Sequence, residues 1–83
     1  MQVVILAQME PLEVAFGQTV RKYRENLGLS QEDFAAKAEI HRTYVSSIEL
    51  GKVQISIAIA EKLALALDVP LSKIFRDIER GRR

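Results

Sequence analysis

The sequence contains no cysteine, no tryptophan and only one histidine. Without cysteine there is no disulfide, no thiolate zinc site and no nucleophilic thiol, and nothing calls for an oxidising compartment. A lone histidine, His41, rules out a multi-histidine metal site within one chain. No apolar run approaches the roughly 20 residues that a membrane-spanning helix needs, so no membrane partner is expected. The start, Met1 to Ala7, has neither a basic n-region nor a cleavage site, so no signal peptide is expected and the cytoplasm is the expected location. A surplus of one charge is also missing. Twelve Lys and Arg stand against eleven Asp and Glu, for a net charge of +1. Attraction to a polyanion must therefore come from local arrangement.

The absences extend to catalysis. There is no paired carboxylate in a cleft-like context, no nucleophile with a base, no phosphate-binding glycine loop and no metal-ligand spacing. An enzyme is not expected, and neither is a cofactor.

What remains is 83 residues, 48% of them hydrophobic, which is enough for one small domain with a single core. Proline occurs twice and glycine four times, and several of them punctuate helices. Phe16, Val20, Tyr23 and Leu27 recur at steps of four, three and four, so they share one helix face. Pro11 suits the first turn of that helix and Gly28 the position after its end. Gly17, inside it, costs about 1 kcal/mol relative to Ala, and close packing is the expected reason.

Ser30 caps a second helix, with Asp33 in the capping-box position and Phe34, Ala35 and Ala38 facing inward. A third helix is expected from Arg42 to Leu50, stopped by Gly51. At about 100° per residue, Tyr44, Val45 and Ile48 share one arc of it. Arg42, Thr43, Ser46, Ser47 and Leu50 share the other. Ser56 caps a fourth helix with the stripe Ile59, Leu63, Ala66 and Leu67. Pro70 opens a fifth, bearing Leu71, Ile74, Phe75 and Ile78. The expectation is an all-α fold, a compact five-helix bundle. Residues 1–10 form an N-terminal extension, 11–80 the domain and 81–83 a basic tail. Within the extension, Val3 to Leu6 is apolar and β-branched; it reads as a strand, added core, a partner-binding arm or a disordered stub.

Two helices of about eight residues joined by a three-residue turn describe a helix-turn-helix, and Gln31 to Ile48 fits it. Leu29-Ser30-Gln31-Glu32-Asp33-Phe34-Ala35, with His41-Arg42-Thr43-Tyr44-Val45-Ser46-Ser47-Ile48-Glu49, resembles the phage-repressor and Cro type (XRE-like) helix-turn-helix family. Ile55-Ser56-Ile57 and Leu63 to Pro70 match its fourth helix. The resemblance covers roughly residues 14–78, and His41 to Ser46 looks most like the controller proteins of restriction–modification systems. Glu39 departs from the family, which often has Gly in the turn; a left-handed backbone there costs roughly 1 kcal/mol.

The resemblance implies a lambda-repressor-like fold and DNA contacts at Gln31, Arg42, Thr43 and Ser47. It also implies a structural ion pair between Arg24, late in the first helix, and Glu49, at the end of the third. The chemistry is consistent with this. A helix that reads the major groove needs a polar, uncrowded face that is not acidic. Arg42 suits the O6 and N7 of guanine, and Thr43 suits phosphate or a thymine methyl. Ser46 and Ser47 let the helix sit deep against the bases. Gln31, Tyr44 and Lys52 suit phosphate. Each assignment has a plainer rival: Arg42 as a solvated charge, Ser46 and Ser47 as surface filler, Tyr44 as core, His41 as an N-cap or turn residue.

One recognition helix reaches only a few base pairs, so a homodimer on a short inverted repeat of double-stranded DNA is expected. The fifth helix is the expected interface, with Leu71, Phe75 and Ile78 outward and Ile74 in the core. Activation would need a surface for RNA polymerase, for which the region of Glu25, Glu32 and Glu39 is the candidate. The competing reading is a protein-binding module such as an antitoxin, with residues 1–10 as its binding element.

Overall fold

Residues 10–82 are described by a computed structural model, and they form five α-helices in the order α1 (Leu12–Asn26), α2 (Gln31–Ala38), α3 (Arg42–Glu49), α4 (Ile57–Leu67) and α5 (Leu71–Gly81). The Val3 to Leu6 segment lies outside the described residues. Side-chain caps set three of the helix starts. The Ser30 hydroxyl accepts from the Asp33 amide at 3.0 Å, and the Ser56 hydroxyl from the Ile59 amide at 3.1 Å. His41 Nδ1 accepts from the Thr43 amide at 3.2 Å. Each side chain satisfies one of the amides that a helix start leaves without an intrahelical partner. Pro11 sits one residue earlier than expected, at the cap of α1 rather than in its first turn. Its fixed φ serves both places.

Left-handed residues end the first four helices. Gly28 (φ 71) and Gly51 (φ 70) do so at little cost, whereas Glu39 (φ 58) and Asp68 (φ 59) do so against their side chains. At Glu39 the cost is offset by two backbone bonds, Glu39 N–H to Ala36 O at 3.2 Å and Ile40 N–H to Ala35 O at 3.0 Å. These bonds close α2 and turn the chain into α3 within three residues.

The core is continuous. Phe34, Leu63, Leu67, Ile74, Val20 and Val45 are its largest fully buried side chains. Helix α1 packs on α3 and α5, α2 packs on α3 and α4, and α4 packs on α5. Phe16 and Phe75 meet with ring centroids 5.8 Å apart, within the range where aromatic pairs add to area burial.

The α1–α3 contact depends on Gly17. A Cβ there would fall inside van der Waals distance of the Ile48 carbonyl oxygen and lie 3.0 Å from that of Glu49. Gly51 makes a second close approach, where a Cβ would lie 2.7 Å from Val14 Cγ2. Helix α3 is thus held by the backbone of α1 along its inner side.

At the other end of α1, the Tyr23 hydroxyl donates to the Asp77 carboxylate on α5. Lys73 Nζ lies 3.8 Å from the same carboxylate and 5.8 Å from the centre of the Tyr23 ring. The Tyr23 bond, then the nearby cations, hold the Asp77 carboxyl below its ordinary pKa. A lowered folded-state pKa means that the unfolded chain takes up the proton first. This bond therefore contributes above the ordinary carboxylate range and is lost as pH falls through the folded value. Thermal melts from neutral to strongly acidic pH are expected to show a smaller fall in midpoint for Asp77→Asn than for wild type. Equal falls in both would remove Asp77 from the acid response.

Candidate nucleic-acid interface

Helix α3 has one face committed to the core and one left to solvent. Val45, Ile48 and Glu49 are buried, and Tyr44 is half-buried against the core. Arg42 and Thr43 are exposed at its start, Ser46 and Ser47 are partly exposed along it, and Leu50 and Lys52 are exposed just beyond its end. The exposed face carries one cation, three hydroxyls and no carboxylate up to Glu49. Glu49 is the only acid of the helix, and it turns inward.

Burial of Glu49 is compensated by a network. Arg24 Nε donates to Glu49 Oε2 at 2.7 Å and Nη2 to Oε1 at 3.0 Å. Arg24 Nη1 donates to the Leu29 carbonyl at 2.7 Å, and Gln31 Nε2 donates to Glu49 Oε1 at 3.0 Å. The side chains are 10% and 2% exposed, so the pair is shielded from water. The bonds to Glu49 outweigh the burial of Arg24 and hold its guanidinium proton more firmly than usual. Four places in the fold meet in this network: the end of α1, the following loop, the start of α2 and the end of α3. The orientation of α3 is fixed by charge as well as by packing.

The structure brings Arg42, Thr43, Ser46 and Ser47 together on one helix face. Gln31 stands apart from them in one respect: its amide donates to Glu49 as well as being placed at the start of α2. The spacing of 18 residues between these two partners gave no sequence signal of that bond.

The candidate interface residues of α5 divide. Leu71 and Phe75 are half-buried, whereas Ile78 is 3% exposed and belongs to the core with Ile74. Residues 71 and 75 form one ridge of the helix and 74 and 78 the next. Only the second ridge faces inward fully, so Ile78 leaves no surface for a partner. Phe75 of the outer ridge lines a groove of about 380 Å³, together with Leu12, Phe16, Val53, Ile55 and Ile57 among others. Ile57 is 84% exposed and Leu12 46%. The sequence reading missed Ile57, which stands off the α4 stripe, and that departure from the stripe was the available signal.

Comparison with known proteins bears on this arrangement of two short helices and a solvent-facing polar edge. Residues 20–74 match the helix-turn-helix family. The chain belongs to that family. The match takes in α2, α3 and α4 whole. Control protein C.MunI of Mycoplasma sp is 44% identical over 73 residues, 87% of this chain and 99% of that protein. Among solved structures, the restriction–modification controller protein C.AhdI of Aeromonas hydrophila superposes with a TM-score of 0.74 at 40% identity, over 76% of this chain and 96% of that one. One chain of the C.Esp1396I tetramer, solved in complex with its natural 35-base-pair operator, superposes with a TM-score of 0.80 at 28% identity, over 86% of this chain and 93% of that one.

This helix-turn-helix chain is accordingly a transcription regulator of the controller-protein type, and its family is one of DNA-binding regulators rather than enzymes. Among the described residues, no helix is long and apolar enough to cross a membrane.

Proposed function

We propose that the protein binds a short inverted-repeat operator as a homodimer through α3 and thereby controls transcription within a restriction–modification system. The observation that carries this reading is the acid-free outer face of α3, held at a fixed angle by Gly17 and by the Arg24–Glu49 pair. Arg42, Thr43, Ser46 and Ser47 read base edges from it. Gln31, Tyr44 and Lys52 contact phosphate and set the register. Gln31 does so from a side chain already tethered to Glu49. Residues 11–80 constitute the binding unit. The exposed carboxylates of Glu25, Glu32 and Glu39 supply the RNA polymerase contact where the regulator activates. The protein acts in the cytoplasm, where its DNA is.

The dimer forms on the groove that Ile57 and Phe75 line, with Leu71 on the same ridge of α5 as Phe75. An apolar side chain 84% exposed, next to an apolar groove, gains more from a second copy than from water. The assembly of C.Esp1396I on its operator supports a multimer here as well.

Selection from a randomised duplex library is expected to return an inverted repeat whose half-sites are about 34–36 Å apart centre to centre. Enrichment of no sequence would refute the proposal. Ile57→Asp is expected to sediment as a monomer, to keep the helical circular dichroism of wild type and to lose the selected duplex. A variant that still sediments as a dimer would move the interface elsewhere.

A further inference from the structure

His41 makes two contacts to a single residue of α3. Its Nδ1 accepts the Thr43 backbone N–H at 3.2 Å, and the same nitrogen lies 2.8 Å from the Thr43 hydroxyl oxygen. The first contact fixes the chemistry of the second. An imidazole nitrogen that accepts from a backbone amide carries no proton, so in the neutral ring the proton is on Nε2. In that tautomer the Thr43 hydroxyl at 2.8 Å is the donor, sharing the single Nδ1 lone pair with the amide. Its one proton is held by His41, and what remains toward solvent is a pair of acceptor sites and a methyl group.

We propose that His41 is a specificity-determining residue that makes Thr43 an acceptor-only reader of the major groove. The inference rests on the reading of α3 as the base-contacting helix. A threonine hydroxyl ordinarily donates or accepts and so tolerates any base edge. Held by His41, the Thr43 oxygen accepts from the amino groups of adenine (N6) or cytosine (N4), and its methyl packs on the thymine methyl. Guanine offers only the acceptors N7 and O6. It faces Thr43 with no proton to receive, unless the bond to His41 breaks first. The helix thus carries two opposite filters side by side. Arg42 is donor-only and suits guanine, and Thr43 excludes guanine at the neighbouring step.

The test is selection from a randomised duplex library with four proteins: wild type, Thr43→Ala, His41→Ala and His41→Asn. Positions whose base preference changes in Thr43→Ala are those that Thr43 reads. At those positions wild type is expected to exclude guanine. His41→Ala frees the hydroxyl proton and is expected to raise the tolerance of guanine by about 3- to 10-fold, the worth of one hydrogen bond. His41→Asn supplies a carbonyl acceptor at the same cap and is expected to restore the exclusion. Loss of the helix cap by itself lowers the folded fraction, which weakens binding to all duplexes alike and leaves their ratio unchanged. If His41→Ala binds more weakly yet excludes guanine as wild type does, His41 is a helix cap only and the inference falls. If Thr43→Ala alters no preference while selection still yields a defined operator, Thr43 reads no base, and the inference falls with that part of the proposed interface. If no protein of the four enriches any sequence, it is the proposed function that fails.

Discussion

Gly17→Ala is expected to cost the fold about 3 kcal/mol, although alanine is the better helix former. At an exposed site in the same helix the exchange would gain about 1 kcal/mol. At position 17 the added methyl meets the carbonyl oxygens of Ile48 and Glu49. These belong to the backbone of α3, so no side-chain rotation relieves the contact and the helices must separate. Overpacking of a core typically costs about 1–3 kcal/mol, and a clash with backbone lies at or beyond the upper end. A domain of this size holds roughly 4–12 kcal/mol in all. A loss of about 3 kcal/mol lowers the melting midpoint by roughly 12–24 °C. The control is Gln18→Ala, one residue on, where the side chain is exposed. Circular dichroism melts are expected to show a large fall for the first and little change for the second. Similar midpoints for both would mean that the close approach of α1 and α3 is not what fixes α3.

Arg24→Met should be nearly as damaging, for an electrostatic reason. It leaves the Glu49 carboxylate, 2% exposed, with Gln31 as its remaining side-chain hydrogen-bond partner, and it strips the Leu29 carbonyl of its donor. Removing one partner of a shielded pair costs about 3–5 kcal/mol, whereas replacing both by apolar groups is often close to neutral. The double variant Arg24→Met/Glu49→Leu is therefore expected to recover most of the loss in a denaturant titration. Recovery of stability need not restore DNA binding. Gln31 would then have lost the carboxylate that tethers it, and its phosphate contact would loosen. If Arg24→Met melts as wild type does, the network contributes nothing measurable and α3 is oriented by packing alone.

The parts of the fold legible in the sequence were those set by local chemistry. Ser30 and Ser56 cap the helices that follow them, Gly28 and Gly51 end the helices before them, and the stripes of α2 and α4 face the core. Each is decided within about four residues of chain. What was not legible depends on how helices cross. Periodicity placed Leu71, Ile74, Phe75 and Ile78 on one side of α5, but only the docking of α5 on α1 and α4 decides which ridge is inner. Ile78 went to the core for that reason. The exposure of Ile57, by contrast, was legible in principle, because the residue stands off the α4 stripe. The bond from Gln31 to Glu49 closes across 18 residues, and His41, which reads from sequence as an N-cap or turn residue and does cap α3, also ties the hydroxyl of Thr43.

The measurement that bears most directly on the central claim is fluorescence anisotropy on the selected duplex and a scrambled one, across a salt series, with wild type and Arg42→Ala. The Arg42 side chain is exposed and makes no hydrogen bond or ion pair among the described residues, so its removal is not expected to disturb the fold. Wild type is expected to prefer the selected duplex and to weaken on both as salt rises. Arg42→Ala is expected to lose about 1–3 kcal/mol of that preference while melting at the wild-type temperature. An Arg42→Ala protein that keeps the full preference would contradict the assignment of α3 as the helix that reads DNA.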